Sequence, residues 1–123
     1  MNDFFKDKDI NKALLDLHKR KVGGDMKIYI SGKITGLKNY KKLFRKAEKR
    51  LIKKGFNVVN PVTLGEALPE NSDWSKYMKM DLHAMLECNG IYLLDNWEDS
   101  KGAIIEEKVS RACGLVVFHE GEL

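Results

Sequence analysis

Three carboxylates and one glycine-rich loop are the residues of this sequence whose types and positions suit chemistry. Asp81 stands on a stretch otherwise lined with Met and Leu, and a carboxylate beside an apolar helix face needs a reason. Asp95 follows the apolar run 91–94, and Glu106 comes nearly two turns into the helical segment beyond it, behind a slim Gly102-Ala103 pair. The loop Ser31-Gly32-Lys33-Ile34-Thr35-Gly36 has two glycines that let backbone amides approach a ligand, with donors on Ser31, Lys33 and Thr35. Taken alone it reads equally as a phosphate or sugar cradle and as a structural turn. It has neither the G-x-G-x-x-G spacing nor a Lys-Ser/Thr after its second glycine. Each acid singly reads as a solvated surface group, and only their convergence on one sheet edge would carry function. Carboxylates gathered around such a loop suit reaction at an anomeric carbon. There anions stabilise an oxocarbenium-like transition state, one carboxylate attacks and another protonates the departing base.

Other chemistries find less support. His18, His83 and His119 lack the mutual spacing and the neighbouring cysteines of a zinc set, so no metal and no cofactor are expected. His83 lies two positions from Asp81 and faces elsewhere on the helix, where it packs or meets solvent. No G-x-S-x-G nucleophile elbow occurs.

The elements that must position these groups alternate. Residues 27–31 read as a strand that stops at Gly32, and residues 39–54 as a helix with Tyr40, Leu43, Phe44, Ala47 and Leu51 on one face. A second strand over 56–59 is terminated by Asn60-Pro61. Asp73 is placed to cap a helix carrying Trp74, Tyr77, Met78, Leu82, Met85 and Leu86, closed by Asn89-Gly90. A third strand over 91–94, a helix capped by Ser100 and running to Ala112, and a fourth strand over 115–118 complete the order βαβαβαβ. Such alternation predicts an α/β fold: a parallel sheet with helices on both faces, its first strand central and its ligands beyond the carboxyl ends of the strands.

At 123 residues, 43% hydrophobic and 33% charged, the chain fits one globular domain. Residues 1–25 stand apart as an amphipathic helical extension, with Ile10, Leu14, Leu15 and Leu17 at near-helical spacing; it packs on its own subunit or docks on a second. Cys88 and Cys113 are expected as reduced, buried packing residues. The absence of a membrane-length apolar run or a signal-peptide core points to the cytoplasm, with no membrane partner. The 22 Lys and Arg against 18 Asp and Glu give a net charge of +4, which names no partner. Residues 38–54 concentrate 9 Lys and Arg against the single acid Glu48. With Tyr40 and Phe44 on the core side, this face is read as solvated, and nucleic acid is not the expected partner.

The stretch Lys27-Ile28-Tyr29-Ile30-Ser31-Gly32-Lys33-Ile34-Thr35-Gly36 is followed by Val59-Asn60-Pro61, Tyr77-Met78, Asp81-Leu82, Glu87-Cys88 and Tyr92-Leu93-Leu94. Trp97, Ser100, Gly102-Ala103 and Glu106 complete a series that resembles the nucleoside 2-deoxyribosyltransferase-like superfamily over residues 26–115. The resemblance is closest to a small uncharacterised branch frequent in phages and prophages. It implies a flavodoxin-like or Rossmann-like three-layer sandwich with a four-stranded parallel sheet over residues 26–123. It also implies cleavage of the N-glycosidic bond of a nucleoside or nucleoside monophosphate, the sugar passing to another base or to water, in at least a homodimer.

By position, the resemblance makes Glu106 the nucleophile, Asp81 the acid that assists the departing base, and Asp95 an orienting group for the nucleophile or a sugar hydroxyl. Spacing from Gly102 selects Glu106 over the adjacent Glu107. Tyr29, Ser31, Gly32, Lys33, Ile34, Thr35 and Gly36 would hold the sugar and any phosphate, and Ser100 would meet the sugar's 5′ end. Asn60 and Pro61 would form part of the base wall, with Trp97 and Gly102 also on the substrate side. Better-characterised enzymes of the superfamily often carry glycines where this chain has Ile104 and Lys108. That departure motivates an alternative, a non-catalytic nucleotide-binding protein that sequesters or senses its ligand.

Overall fold

The apolar runs pair as the four strands of one sheet. The computed structural model describes residues 26–123, and the helix expected within residues 1–25 lies outside the described residues. Strand β1 (Lys27–Ser31) leads to helix α1 (Tyr40–Lys53), strand β2 (Asn57–Val59), the short helix α2 (Pro61–Gly65) and helix α3 (Trp74–Leu86). Strand β3 (Gly90–Leu93), a single 3-10 turn (Trp97–Asp99), helix α4 (Lys101–Ala112) and strand β4 (Val116–His119) follow. All neighbouring strands are parallel, in the order β2-β1-β3-β4. The fold is therefore a flavodoxin-like or Rossmann-like three-layer sandwich, with β1 one of its two inner strands. Strand order reverses between β1 and β3, so the crevice beyond their carboxyl ends is where a ligand site belongs.

The two faces of the sheet carry separate cores. Strand period sends Ile28 and Ile30 to one face, where they pack with Tyr92 and Leu94 against Phe44, Ala47 and Leu51 of α1. Tyr29 points to the other face and joins Ile91 and Leu93, packed with Met85 of α3. Each fully buried Leu, Ile or Phe contributes roughly 1.5–3 kcal/mol relative to exposure, so these two clusters hold the helices on opposite sides of the sheet. Register fixes the same alternation across strands, with Tyr29 opposite Ile91 and Ser31 opposite Leu93.

Three local features differ from the sequence expectation. Asn60-Pro61 does end β2, but it also starts a helix. Asn60 Oδ1 accepts the Val62 N–H at 3.0 Å, and Pro61 fills the first helical position, where its missing N–H costs nothing. Gly90 belongs to β3 rather than to a helix end; a Cβ there would lie 3.0 Å from the Val116 carbonyl oxygen of the neighbouring strand. Cys88 is buried as expected, whereas Cys113 is exposed, because it lies just past the end of α4 rather than on its packed face. Among the described residues no helix is long and apolar enough to cross a membrane.

Candidate active site

The site begins with two residues of β1. Tyr29 and Ser31 are two apart on a strand, so both side chains leave the same face, toward α4. Glu106 lies on the buried side of α4 with Ala103 and Ser110, a spacing of three and four that makes one helix face. The Tyr29 hydroxyl donates to Glu106 Oε2 at 2.7 Å and the Ser31 hydroxyl donates to Glu106 Oε1 at 2.7 Å. Each carboxylate oxygen thus has its own donor, and the carboxyl plane is fixed between strand and helix. Its neighbour Glu107, half-buried, pairs instead with Arg111 one turn along the helix, so Glu106 alone of the two acids takes the hydroxyls of β1.

The second acid comes from α3. Met78, Asp81 and Met85 share the buried face of that helix. Asp81 is 9% exposed, and its Oδ1 is buried with no hydrogen-bond partner among the described residues. An unpaired buried carboxyl oxygen is costly, and the group answers by holding its proton. Burial pushes Asp81 up to about 7. Glu106 is likewise pushed up to about 7, by burial first and by the nearby charge of Asp81 in lesser degree; the hydroxyls of Ser31 and Tyr29 pull the other way. Tyr29 is raised well above its ordinary value by burial and by Glu106, so it stays protonated and donates.

The charge of Asp81 is felt at Glu106, and the unequal hydrogen bonding of the two carboxyls orders their charges. With one proton between them, the negative charge belongs on Glu106, which has two donors, and the proton on Asp81, which has none. One ionised and one neutral carboxyl near pH 7 is an arrangement that suits paired nucleophilic and acid chemistry.

Both acids line a cavity of about 950 Å³ beyond the carboxyl ends of the strands. That is room for a nucleotide. Tyr29, Gly32, Lys33, Ile34 and Thr35 bring the end of β1 and its loop to the wall, and Pro61 closes the side below β2. Ser100, Gly102 and Ala103 bring the N-terminal end of α4, whose free N–H groups favour an anion. Ser100 caps that helix, its Oγ accepting the Ala103 N–H at 3.1 Å. Gly102 keeps the wall thin, since a Cβ there would approach Met78 Sδ to 3.2 Å. Gly32 has a packing role, because a Cβ would lie 2.7 Å from Leu94 Cδ1. Gly36 adopts φ +79 in open space and makes the turn.

The remaining expected residues lie elsewhere. Asp95 is exposed and does not line the cavity; β3 ends at Leu93, one residue earlier than the sequence suggests, so Asp95 sits in the following turn with its N–H donating to Glu120 Oε1. Asn60 is buried as a cap and donates from Nδ2 to Glu48 Oε1 at 3.1 Å. Trp97 packs on the second core cluster beside His119. Ser31 reaches the site through Glu106 rather than through the wall. Ile104 and Lys108, two residues either side of Glu106, point away from its face and leave the cavity unobstructed.

Several groups of the site, Tyr40 and Lys41 of α1 among them, were not singled out from the sequence as site residues. Asn96 Oδ1 accepts the Lys33 N–H at 2.9 Å and ties the loop after β3 to the loop after β1. Trp74 and Tyr77 line the cavity on the same side of α3 as Asp81, and Lys101 Nζ lies 4.6 Å from the centre of the Trp74 ring. The spacing of residues 74, 77, 78 and 81 already marks one helical face, so an aromatic wall beside the acid was legible; Asn96 gave no such signal.

A three-layer parallel-sheet protein with a paired-carboxyl cleft at its strand-order switch is the class that fold and site define. The chain belongs to a family described as a domain of unknown function, DUF4406, which matches residues 26–119. No curated protein and no solved structure matches it.

Proposed function

We propose that the protein cleaves the N-glycosidic bond of a nucleoside or nucleoside monophosphate, using Glu106 as nucleophile and Asp81 as acid. The observation that carries this reading is the asymmetric carboxyl pair. Both acids are buried on one nucleotide-sized cavity, one held by the Tyr29 and Ser31 hydroxyls and the other unpaired. In the first step a Glu106 oxygen bonds to the sugar C1′ as the C1′–N bond breaks; the bond's electron pair stays on the base nitrogen, which takes the Asp81 proton. In the second step water or another base attacks C1′, the Glu106–C1′ bond breaks, and the incoming nucleophile's proton returns to Asp81. Tyr29 and Ser31 orient Glu106 throughout. Lys33, Ser100 and the amino end of α4 favour a phosphorylated sugar.

The resemblance noted from the sequence supports the same reaction class, and with it a homodimer; the cytoplasm is the compartment we propose for it. The alternative is a non-catalytic binding protein; Ile104 and Lys108, whose place in the sequence motivated it, are not among the residues that line the cavity. Incubation with a panel of nucleosides and nucleoside monophosphates, followed by chromatography, tests the proposal. Liberated base is expected, faster from a monophosphate than from its nucleoside. Ligand-dependent stabilisation without any base release would leave the binding reading instead.

A further inference from the structure

The outer face of α1 is strongly basic, and the glycosidic reading does not use it. Lys41, Lys42, Arg45, Lys49 and Lys53 are all exposed. At about 100° per residue they fall within an arc of about 120°, opposite the buried Phe44, Ala47 and Leu51. They follow one another about once per turn over roughly 18 Å of helix. Glu48, the one acid of the helix, is turned aside to accept from Asn60 Nδ2, so no carboxylate of α1 interrupts the stripe. The cations at the far edge are engaged differently: Lys46 and Arg50 share a small hollow with Glu120, and Arg50 also donates to the Leu123 carbonyl.

The stripe is continuous with the candidate active site. Lys41 and its neighbour Tyr40, at the amino end of α1, both line the cavity that holds Glu106 and Asp81. Sequence periodicity puts Tyr40 on the core side; in the fold it also packs on the α1-side core cluster, yet it still reaches the cavity wall. A regularly spaced row of cations ending at an aromatic beside a nucleotide-sized hollow complements a phosphodiester backbone with one unstacked nucleotide.

We infer that the Lys42, Arg45, Lys49 and Lys53 face of α1 docks a single nucleic-acid strand, which passes Lys41 and presents one of its nucleotides to the cavity. The inference rests on the glycosidic reading for what happens in the cavity, and on charge and geometry alone for the docking. It extends the proposed substrates to a nucleotide within a strand or at its end.

Fluorescence anisotropy with a labelled single-stranded oligonucleotide tests it. Four or five neutralised phosphates give a log–log salt slope of about −3, so affinity is expected to fall roughly 50- to 100-fold between 50 and 200 mM salt. The variant Arg45→Glu/Lys49→Glu, altered only at exposed positions off the cavity, is expected to keep its melting temperature, lose at least tenfold in strand affinity and flatten the slope. Absence of binding by the wild type at 50 mM salt would overturn the inference. So would binding indifferent to the double variant, or retention on phosphatidylserine vesicles without retention of the strand. The two readings fail separately. A bound strand with no base released from any substrate removes the glycosidic reading and keeps the docking; base release from free monophosphate with no strand bound does the reverse.

Discussion

Glu106 and Asp81 are chemically similar groups made unlike by what touches them. Burial raises both to about 7, while two hydroxyl donors pull Glu106 back toward its ionised form and leave the proton to Asp81. The proposed reaction predicts a narrow pH–rate optimum near 7, with kcat/KM rising as Glu106 ionises and falling as Asp81 loses its proton. Asp81→Asn should remove the alkaline limb and slow release of poor leaving bases most, measured as kcat/KM across pH for bases of differing basicity. Stability should move in a defined direction too. The native state holds both protons more tightly than the unfolded chain, so these groups favour folding below the ordinary carboxylate range. That contribution is withdrawn as pH rises to about 7. Wild-type melting temperature should therefore fall between pH 5 and 8, and Asp81→Asn should shallow the fall by an amount on the order of 2–4 kcal/mol in unfolding free energy. A wild-type melting temperature that climbs over that interval would contradict the burial of an unpaired Asp81.

At the scale of elements, the site depends on where β1 and α4 meet. Gly102 sits in the first turn of α4, where alanine would favour the helix by up to about 1 kcal/mol, offset by pressure on Met78 Sδ at 3.2 Å. Gly102→Ala should leave the melting temperature within a few degrees and weaken substrate use, a separation read by calorimetry beside KM. Gly32→Ala should instead cost about 1–3 kcal/mol, because the added carbon meets Leu94 Cβ and Cγ at 3.0 Å, atoms too near the backbone to swing away; chemical denaturation measures it.

The sequence made much of this architecture legible. The alternation of apolar runs and amphipathic segments carries the sheet, and strand period carries the pairing of Tyr29 with Ser31, because both signals are local. What it hid is non-local. Whether Asp95 or Asn96 turns inward depends on a one-residue shift in where β3 ends, and only the bond from the Lys33 N–H across to Asn96 shows which of them joins the site. Gly90 read as a helix stop because nothing in its neighbourhood reveals the Val116 carbonyl that crowds it.

For the whole molecule, charge and cavity lie on connected surfaces. The net charge of +4 understates the asymmetry, since the cations of α1 face outward while two of the 18 acids, Asp81 and Glu106, are buried at the cavity. The central claim is that Glu106 bonds to the anomeric carbon, and a 2′-fluorinated nucleoside or nucleotide that slows the second step tests it directly. Intact-mass and peptide mapping of the treated protein should find one fluorinated sugar on Glu106 with one equivalent of base released, and neither in Glu106→Gln. Base release with the adduct on another residue, or at undiminished rate in Glu106→Gln, would contradict it.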